Sequence, residues 1–126
     1  MEYNKHSTLK SFGIDVGLKT THMKTITEAD IALFAGVSGD FSPVHVCEDY
    51  AKKTSFGGRI AHRMLVAGLI SAAVAKLPGL VVYLSQTVKF LKPVRVGDSI
   101  TAMIEAISFR GAETISPRAT PYRQST

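Results

Sequence analysis

Asp40 and His45 stand five positions apart in the stretch SGDFSPVHV, residues 38–46, with Pro43 between them. A carboxylate titrating near ~4 and an imidazole near ~6.5 are the usual partners for moving a proton near neutral pH. Gly39 allows a sharp start to the loop and Pro43 fixes one backbone dihedral, so both limit where the two polar side chains point. One reading is an acid/base pair that holds a single water between its members. The same residues suit a structural role equally well, with the aspartate capping a turn and the histidine satisfying a backbone carbonyl.

Other chemistries lack their residues. The chain has no GxSxG elbow, no phosphate-binding GxxxxGK, no GxGxxG and no CxxC. His6, His22, His45 and His62 show no metal-ligand spacing, so neither a metal nor a cofactor is expected, although ligands can converge from distant parts of a chain. The single cysteine, Cys47, leaves no partner for an internal disulfide and fits a reducing compartment.

With 126 residues, 45% hydrophobic and 20% charged, the sequence suits one domain over residues 1–126, of a size that often completes its surface by oligomerising. The net charge of +5 is scattered over Lys52, Lys53, Arg59, Arg63, Lys89, Lys92 and Arg95. Nucleic-acid binding calls for a denser basic stripe interleaved with aromatics, so none is expected. A mild positive field suits a phosphate-bearing small molecule, or is simply an ordinary solvated surface. The N-terminal MEYNKHSTLK lacks the apolar core of a secretory signal. The longest apolar run, residues 64–75, is well short of the roughly 20 residues of a membrane span. A soluble, cytoplasmic protein follows.

The elements that must position the pair read as follows. Residues 12–26 carry β-branched residues and glycine and suit an early strand or hairpin. Thr27, three residues before Asp30, resembles a capping box, and Ile31, Leu33, Phe34 and Val37 give a helical stripe that stops at Gly39. After the Asp-His loop, EDYAKKTSFGGR gives a short helical turn and a glycine-containing loop. Residues 64–76 form the main buried helix, ended by Pro78 and Gly79. Residues 80–90 have a strand pattern, KPVRVGD turns the chain, and SITAMIEAISF is a second long strand. The tail, residues 112–126, contains Pro117 and Pro121 and predicts no regular strand. Strand, helix, loop, long helix and then strands give an α+β fold, a helix lying on an antiparallel sheet.

Three segments together, SGDFSPVHV, GGRIAHRMLVAGLIS and YLSQTVKFLKPVRVGD, resemble the MaoC-like (R)-specific enoyl-CoA hydratases over residues 26–109, in order and with near-normal spacing. The resemblance implies a hot-dog fold, an antiparallel sheet wrapped around the long central helix. It implies a homodimer with acyl-thioester sites near the subunit interface, an acyl-CoA substrate and a place in fatty acid metabolism. It also implies that Asp40 and His45 activate a water that adds to C3 of a trans-2-enoyl thioester, giving an (R)-3-hydroxyacyl-CoA reversibly. Negative charge gathers on the thioester oxygen in that step, and N–H groups at the start of the main helix, from Ala61, His62, Arg63 and Met64, would hold it. Ser71 and Val74, one turn apart on that helix, would face the acyl chain or else serve as core residues.

Departures from the family pattern set further expectations. Ser42 stands where the family has asparagine, with a shorter reach. The family's His-Gly-Met is His62-Arg63-Met64 here, so the arginine side chain either crowds the thioester, points away, or meets a CoA phosphate. The tail replaces two expected strands, an ending that a shifted or truncated reading frame would give, and leaves the C-terminal strands missing or altered. Beside the hydratase stand two alternatives: a catalytically weak acyl-CoA-binding protein on the same fold, favoured by Arg63 and the tail, and an acyl-CoA thioesterase, which the linked Asp-x-x-x-x-His fits less well.

Overall fold

Thr27 starts the first helix because its side chain and that of Asp30 close a reciprocal pair. In the computed structural model of the chain, which describes residues 14–79, 81–110, 114–119 and 123–124, the Asp30 N–H donates to Thr27 Oγ1 at 3.2 Å and the Thr27 N–H donates to Asp30 Oδ2 at 2.9 Å. Two N–H groups that a helix start leaves orphaned are thereby satisfied. Burial pushes the Asp30 carboxyl up, but the bonds from Thr27 and Lys24 outweigh it and hold the group below its ordinary 3.8. Helix α1, Glu28–Ser38, ends at Gly39 with φ 80°, where the glycine N–H reaches Ala35 O at 2.8 Å. A side chain would be strained at that left-handed position. The stripe is narrower than its periodicity implies: Ile31 and Ala35 are buried, while Leu33 and Val37 are exposed.

Two short helices follow, α2 Pro43–Val46 and α3 Glu48–Lys52. Arg59 ties the second of these back to α1 by pairing with both Glu48 and Glu28. The main helix, α4, runs Arg63–Ala75 and buries Val66, Leu69, Ile70, Ala73 and Val74, a stripe at helical spacing. It lies on strands β1, Lys19–Thr25, and β2, Ser99–Arg110. The long strand buries Ile100, Ala102, Ile104 and Ala106, every second residue, as a half-covered strand requires. β1 and β2 pair antiparallel from Lys19 opposite Glu105 to Thr25 opposite Ser99. The C-terminal end of α4 is tied to β1 by the Thr20 hydroxyl on Ala73 O and by the Lys76 ammonium on Thr21 O.

The structure corrects two expectations. Residues 81–91 form no ladder among the described residues, and Val82 and Leu84 are 69% and 76% exposed. The stretch LVVYL is apolar at every position, so no alternation specifies which face turns inward. The second correction concerns the tail. It is not wholly irregular: β3, Thr114–Ala119, and β4, Arg123–Gln124, both pair antiparallel with β2. Pro117 lies opposite Ala106, where the register shifts before Ser108. Proline is tolerated at a sheet edge and beside a bulge because no ladder N–H is required of it there. Residues 111–113, 120–122 and 125–126 of that tail, with Pro121, lie outside the described residues, as do residues 1–13 with His6.

Candidate active site

The end of α1 aims the loop. Directly after Gly39, the Asp40 N–H donates to Ser38 Oγ at 3.1 Å, and the Ser42 N–H donates to Asp40 Oδ1 at 3.1 Å. One carboxylate oxygen is thus held by the backbone two residues on, the turn that aspartate favours. The other, Oδ2, lies 3.7 Å from His45 Nε2. Pro43 opens α2 at a position where its missing N–H costs nothing, and one turn of helix carries His45 inward. The His45 side chain is almost wholly buried, while that of Asp40 is half exposed.

Hydrogen bonding fixes the state of the imidazole. His45 Nδ1 lies 2.8 Å from the carbonyl oxygen of Ile60. A carbonyl only accepts, so Nδ1 carries a proton, and in the neutral ring Nε2 presents a lone pair. Asp40 Oδ2 also accepts. With the ring neutral, two acceptors 3.7 Å apart do not bond each other, and the space between them suits a donor. A water at about 2.8 Å from both gives each one hydrogen and turns its own lone pairs outward.

His62 completes the cluster. Its Nε2 donates to the backbone oxygen of Asp40 at 2.9 Å. Its ring stacks on His45, with centroids 4.0 Å apart, and packs against Phe34 on α1 at 4.8 Å. The residue is 2% exposed, and its Nδ1 has no hydrogen-bond partner among the described residues. His62 is also the N-cap of α4, without a side-chain cap bond. The first turn of that helix therefore begins beside His45.

The other expected residues divide. Ser42 is exposed and contributes its N–H, not its hydroxyl, to Asp40. Of the four residues at the helix start, Ala61 donates its N–H to Val94 O at 2.7 Å and has none to spare. Arg63 and Met64, in the first turn, lack intrahelical acceptors by position. The Arg63 side chain turns to residues 81–92: Nη1 donates to Phe90 O at 3.3 Å, and the guanidinium lies over the Phe90 ring, 5.7 Å from its centroid. Ser71 and Val74 part company. Val74 is in the core, whereas Ser71 is exposed and hydrogen-bonds Tyr83, whose phenol burial pushes above its ordinary 10. Sequence reasoning missed the clasp of Ile60 O on His45 and of His62 on the Asp40 backbone.

Comparisons with known proteins agree on one group. The family model for the MaoC like domain matches residues 11–123. An (R)-specific enoyl-CoA hydratase of Rhodospirillum rubrum is 52% identical over 93 residues, covering 72% of this chain and 65% of that protein. A 3-hydroxybutyryl-CoA dehydratase of Methylorubrum extorquens is 45% identical over 94 residues, covering 73% of this chain and 60% of that protein. The chain thus spans a little under two thirds of the length of these two curated relatives. Among solved structures, an unliganded R-hydratase from Pseudomonas aeruginosa superposes with a TM-score of 0.78 at 41% identity, over 84% of this chain and 70% of that one.

Proposed function

The chain belongs to the MaoC-like domain family and has its hot-dog fold, and from that premise we propose that it catalyses the reversible (R)-specific hydration of trans-2-enoyl-CoA to (R)-3-hydroxyacyl-CoA. The observation that carries the reading is the pair of acceptors, Asp40 Oδ2 and His45 Nε2, 3.7 Å apart with every other polar atom of the imidazole engaged. A water bridging them is a nucleophile with its protons already directed at bases. As its oxygen bonds to C3, one proton passes to the pair, the C2–C3 π electrons move toward the carbonyl, and charge collects on the thioester oxygen. The Arg63 and Met64 N–H groups at the start of α4 would receive that charge. A proton then returns to C2, and the atoms of water are all in the product. Side chains, backbone N–H groups and one water suffice, so the reading requires no cofactor. The curated names of the relatives support the same substrate class.

The reading includes a homodimer. Val82, Leu84 and Leu91 stand exposed on an extended stretch without a ladder partner among the described residues, a surface that a second copy would cover. It also includes a cytoplasmic location. No helix of the described residues is long and apolar enough to cross a membrane.

Crotonyl-CoA tests the proposal. Purified protein should remove the enoyl absorbance without releasing free thiol. Thiol release would identify a thioesterase, and binding without either change would identify an acyl-CoA-binding protein.

Arg63 gives a second test. Because its side chain rests on Phe90, Arg63→Gly should leave crotonyl-CoA turnover within about 2-fold, since a group aimed away from the reacting atoms adds little to the barrier. The variant should lose about 1–2 kcal/mol of stability, from the exposed cation–π contact and from glycine in the first helical turn. Thermal melts and steady-state kinetics check both. A tenfold rise in kcat/KM would instead show that the arginine crowds the thioester.

A further inference from the structure

No spacing in the sequence links Asp40, His45 and His62, yet a carboxylate oxygen and one nitrogen of each ring lie within 4.8 Å of one another. What each of these groups does with its remaining atoms bears on what the cluster takes. His45 has its Nδ1 proton on Ile60 O, and His62 has its Nε2 proton on Asp40 O. In both rings one nitrogen is tied to a backbone carbonyl, which fixes the tautomer of the neutral ring and makes the other nitrogen its lone-pair donor. Metal-binding histidines are prepared in this way. Asp40 Oδ1 takes the Ser42 N–H, and Oδ2 faces His45. The third lone pair, on His62 Nδ1, is buried and has no partner among the described residues. A bridging water satisfies two of these acceptors. The third remains an uncompensated buried acceptor, and native structures seldom leave a buried polar group without a partner.

We infer that Asp40, His45 and His62 form a binding site for Zn²⁺, with Asp40 Oδ2, His45 Nε2 and His62 Nδ1 as ligands and a solvent-facing fourth position. Two imidazoles and one carboxylate are a donor set that zinc accepts, whereas calcium and magnesium prefer oxygen alone. Zinc–ligand bonds of about 2.0–2.2 Å in a tetrahedron set the ligand atoms roughly 3.3 Å apart. The half-exposed Asp40 side chain is free to move toward the cation, and the two rings, stacked with centroids 4.0 Å apart, turn so that their in-plane lone pairs converge on it. The cation takes the place of the nucleophilic water and occupies both bases, so it inhibits. Binding stands on the geometry alone, and only the inhibition rests on the hydration reading.

The test uses the full chain, metal-free, titrated with Zn²⁺ by calorimetry and with Co²⁺ by visible absorbance. The expected result is one Zn²⁺ per chain and the visible bands of four-coordinate Co²⁺. Asp40→Asn and His45→Gln should each weaken binding by at least the ~10–100-fold that loss of even an outer-shell partner costs. His62→Gln keeps a donor for the Asp40 carbonyl and removes the Nδ1 lone pair, and it should weaken binding similarly. Since Asp40 is half exposed, its variant folds even if His62→Gln does not, which circular dichroism verifies. A chain carrying His6→Asn, His22→Asn and Cys47→Ser should bind as tightly as the parent. Crotonyl-CoA hydration should fall with Zn²⁺ at the concentration that fills the calorimetric site. No saturable site, an affinity unchanged in Asp40→Asn and His45→Gln, or binding lost in the triple variant would each overturn the inference. So would hydration undiminished at saturating Zn²⁺. Zinc binding in a chain that never hydrates crotonyl-CoA would uphold the site and refute the hydratase reading.

Discussion

Asp40→Asn and His45→Ala are each expected to slow crotonyl-CoA hydration by about 10²–10⁴-fold, the usual contribution of a positioned acid or base. The two variants reach that loss differently. An asparagine at position 40 still offers an oxygen to the Ser42 N–H, so the turn after α1 survives. Its amide cannot take a proton from the water. The side chain is half exposed, and the melting temperature should stay within a few degrees of the parent. Alanine at position 45 removes the ring whose Nε2 faces Oδ2, and it also abandons the Ile60 carbonyl and the face of His62. A buried acceptor left without its partner costs about 1–3 kcal/mol, so this variant should melt earlier as well. Turnover is therefore compared per folded molecule, at a temperature where both variants are native. If either one hydrates crotonyl-CoA at close to the parental rate while folded, the pair is not the catalytic one.

What the sequence discloses about this site follows the reach of its signals. Thr27 with Asp30, and Gly39 after Ser38, are local arrangements whose chemistry depends on residues three or four apart, and the cap and stop of α1 form as read. The alternation of Ile100, Ala102, Ile104 and Ala106 likewise specifies a strand with one covered face. Asp40 and His45 are legible as a pair because one short loop holds both. The clasps that orient them are not, since His45 reaches a carbonyl 15 residues away and His62 one 22 residues away. Backbone carbonyls have no side-chain signature, and only the fold brings them near. The tail was misread for another reason. Proline forbids a central strand but not an edge position beside a bulge, and whether Pro117 occupies one depends on β2, not on its own neighbours. Residues 81–91 fail in the opposite direction: strand-forming composition is present, but no ladder forms on it among the described residues, and an apolar run without alternation specifies no face.

Ile104→Ala should cost about 2–5 kcal/mol, the range for deleting most of a buried isoleucine when the surroundings collapse only partly. Ile104 is 1% exposed and belongs to the same cluster as Val66, Ile70 and Val74 of α4. It sits on β2 opposite Thr20 of β1 and Ala119 of β3, with ladder pairing on both flanks, so the backbone has little freedom to close a void. Domains of ordinary size are stable by only about 5–15 kcal/mol, so this one side chain holds a large part of the total. At roughly 4 °C per kcal/mol for a chain between small and medium size, the melting temperature should fall by about 8–20 °C. Turnover at a temperature where the variant is still native should change little, because Ile104 belongs to the apolar cluster and makes none of the hydrogen bonds that hold Asp40 and His45. That separation is the mirror image of Asp40→Asn, which should lose activity and keep its melting point. The outcome that would undo the argument is an Ile104→Ala chain that melts with the parent, since α4 would then not owe its place beside His45 to packing on β2.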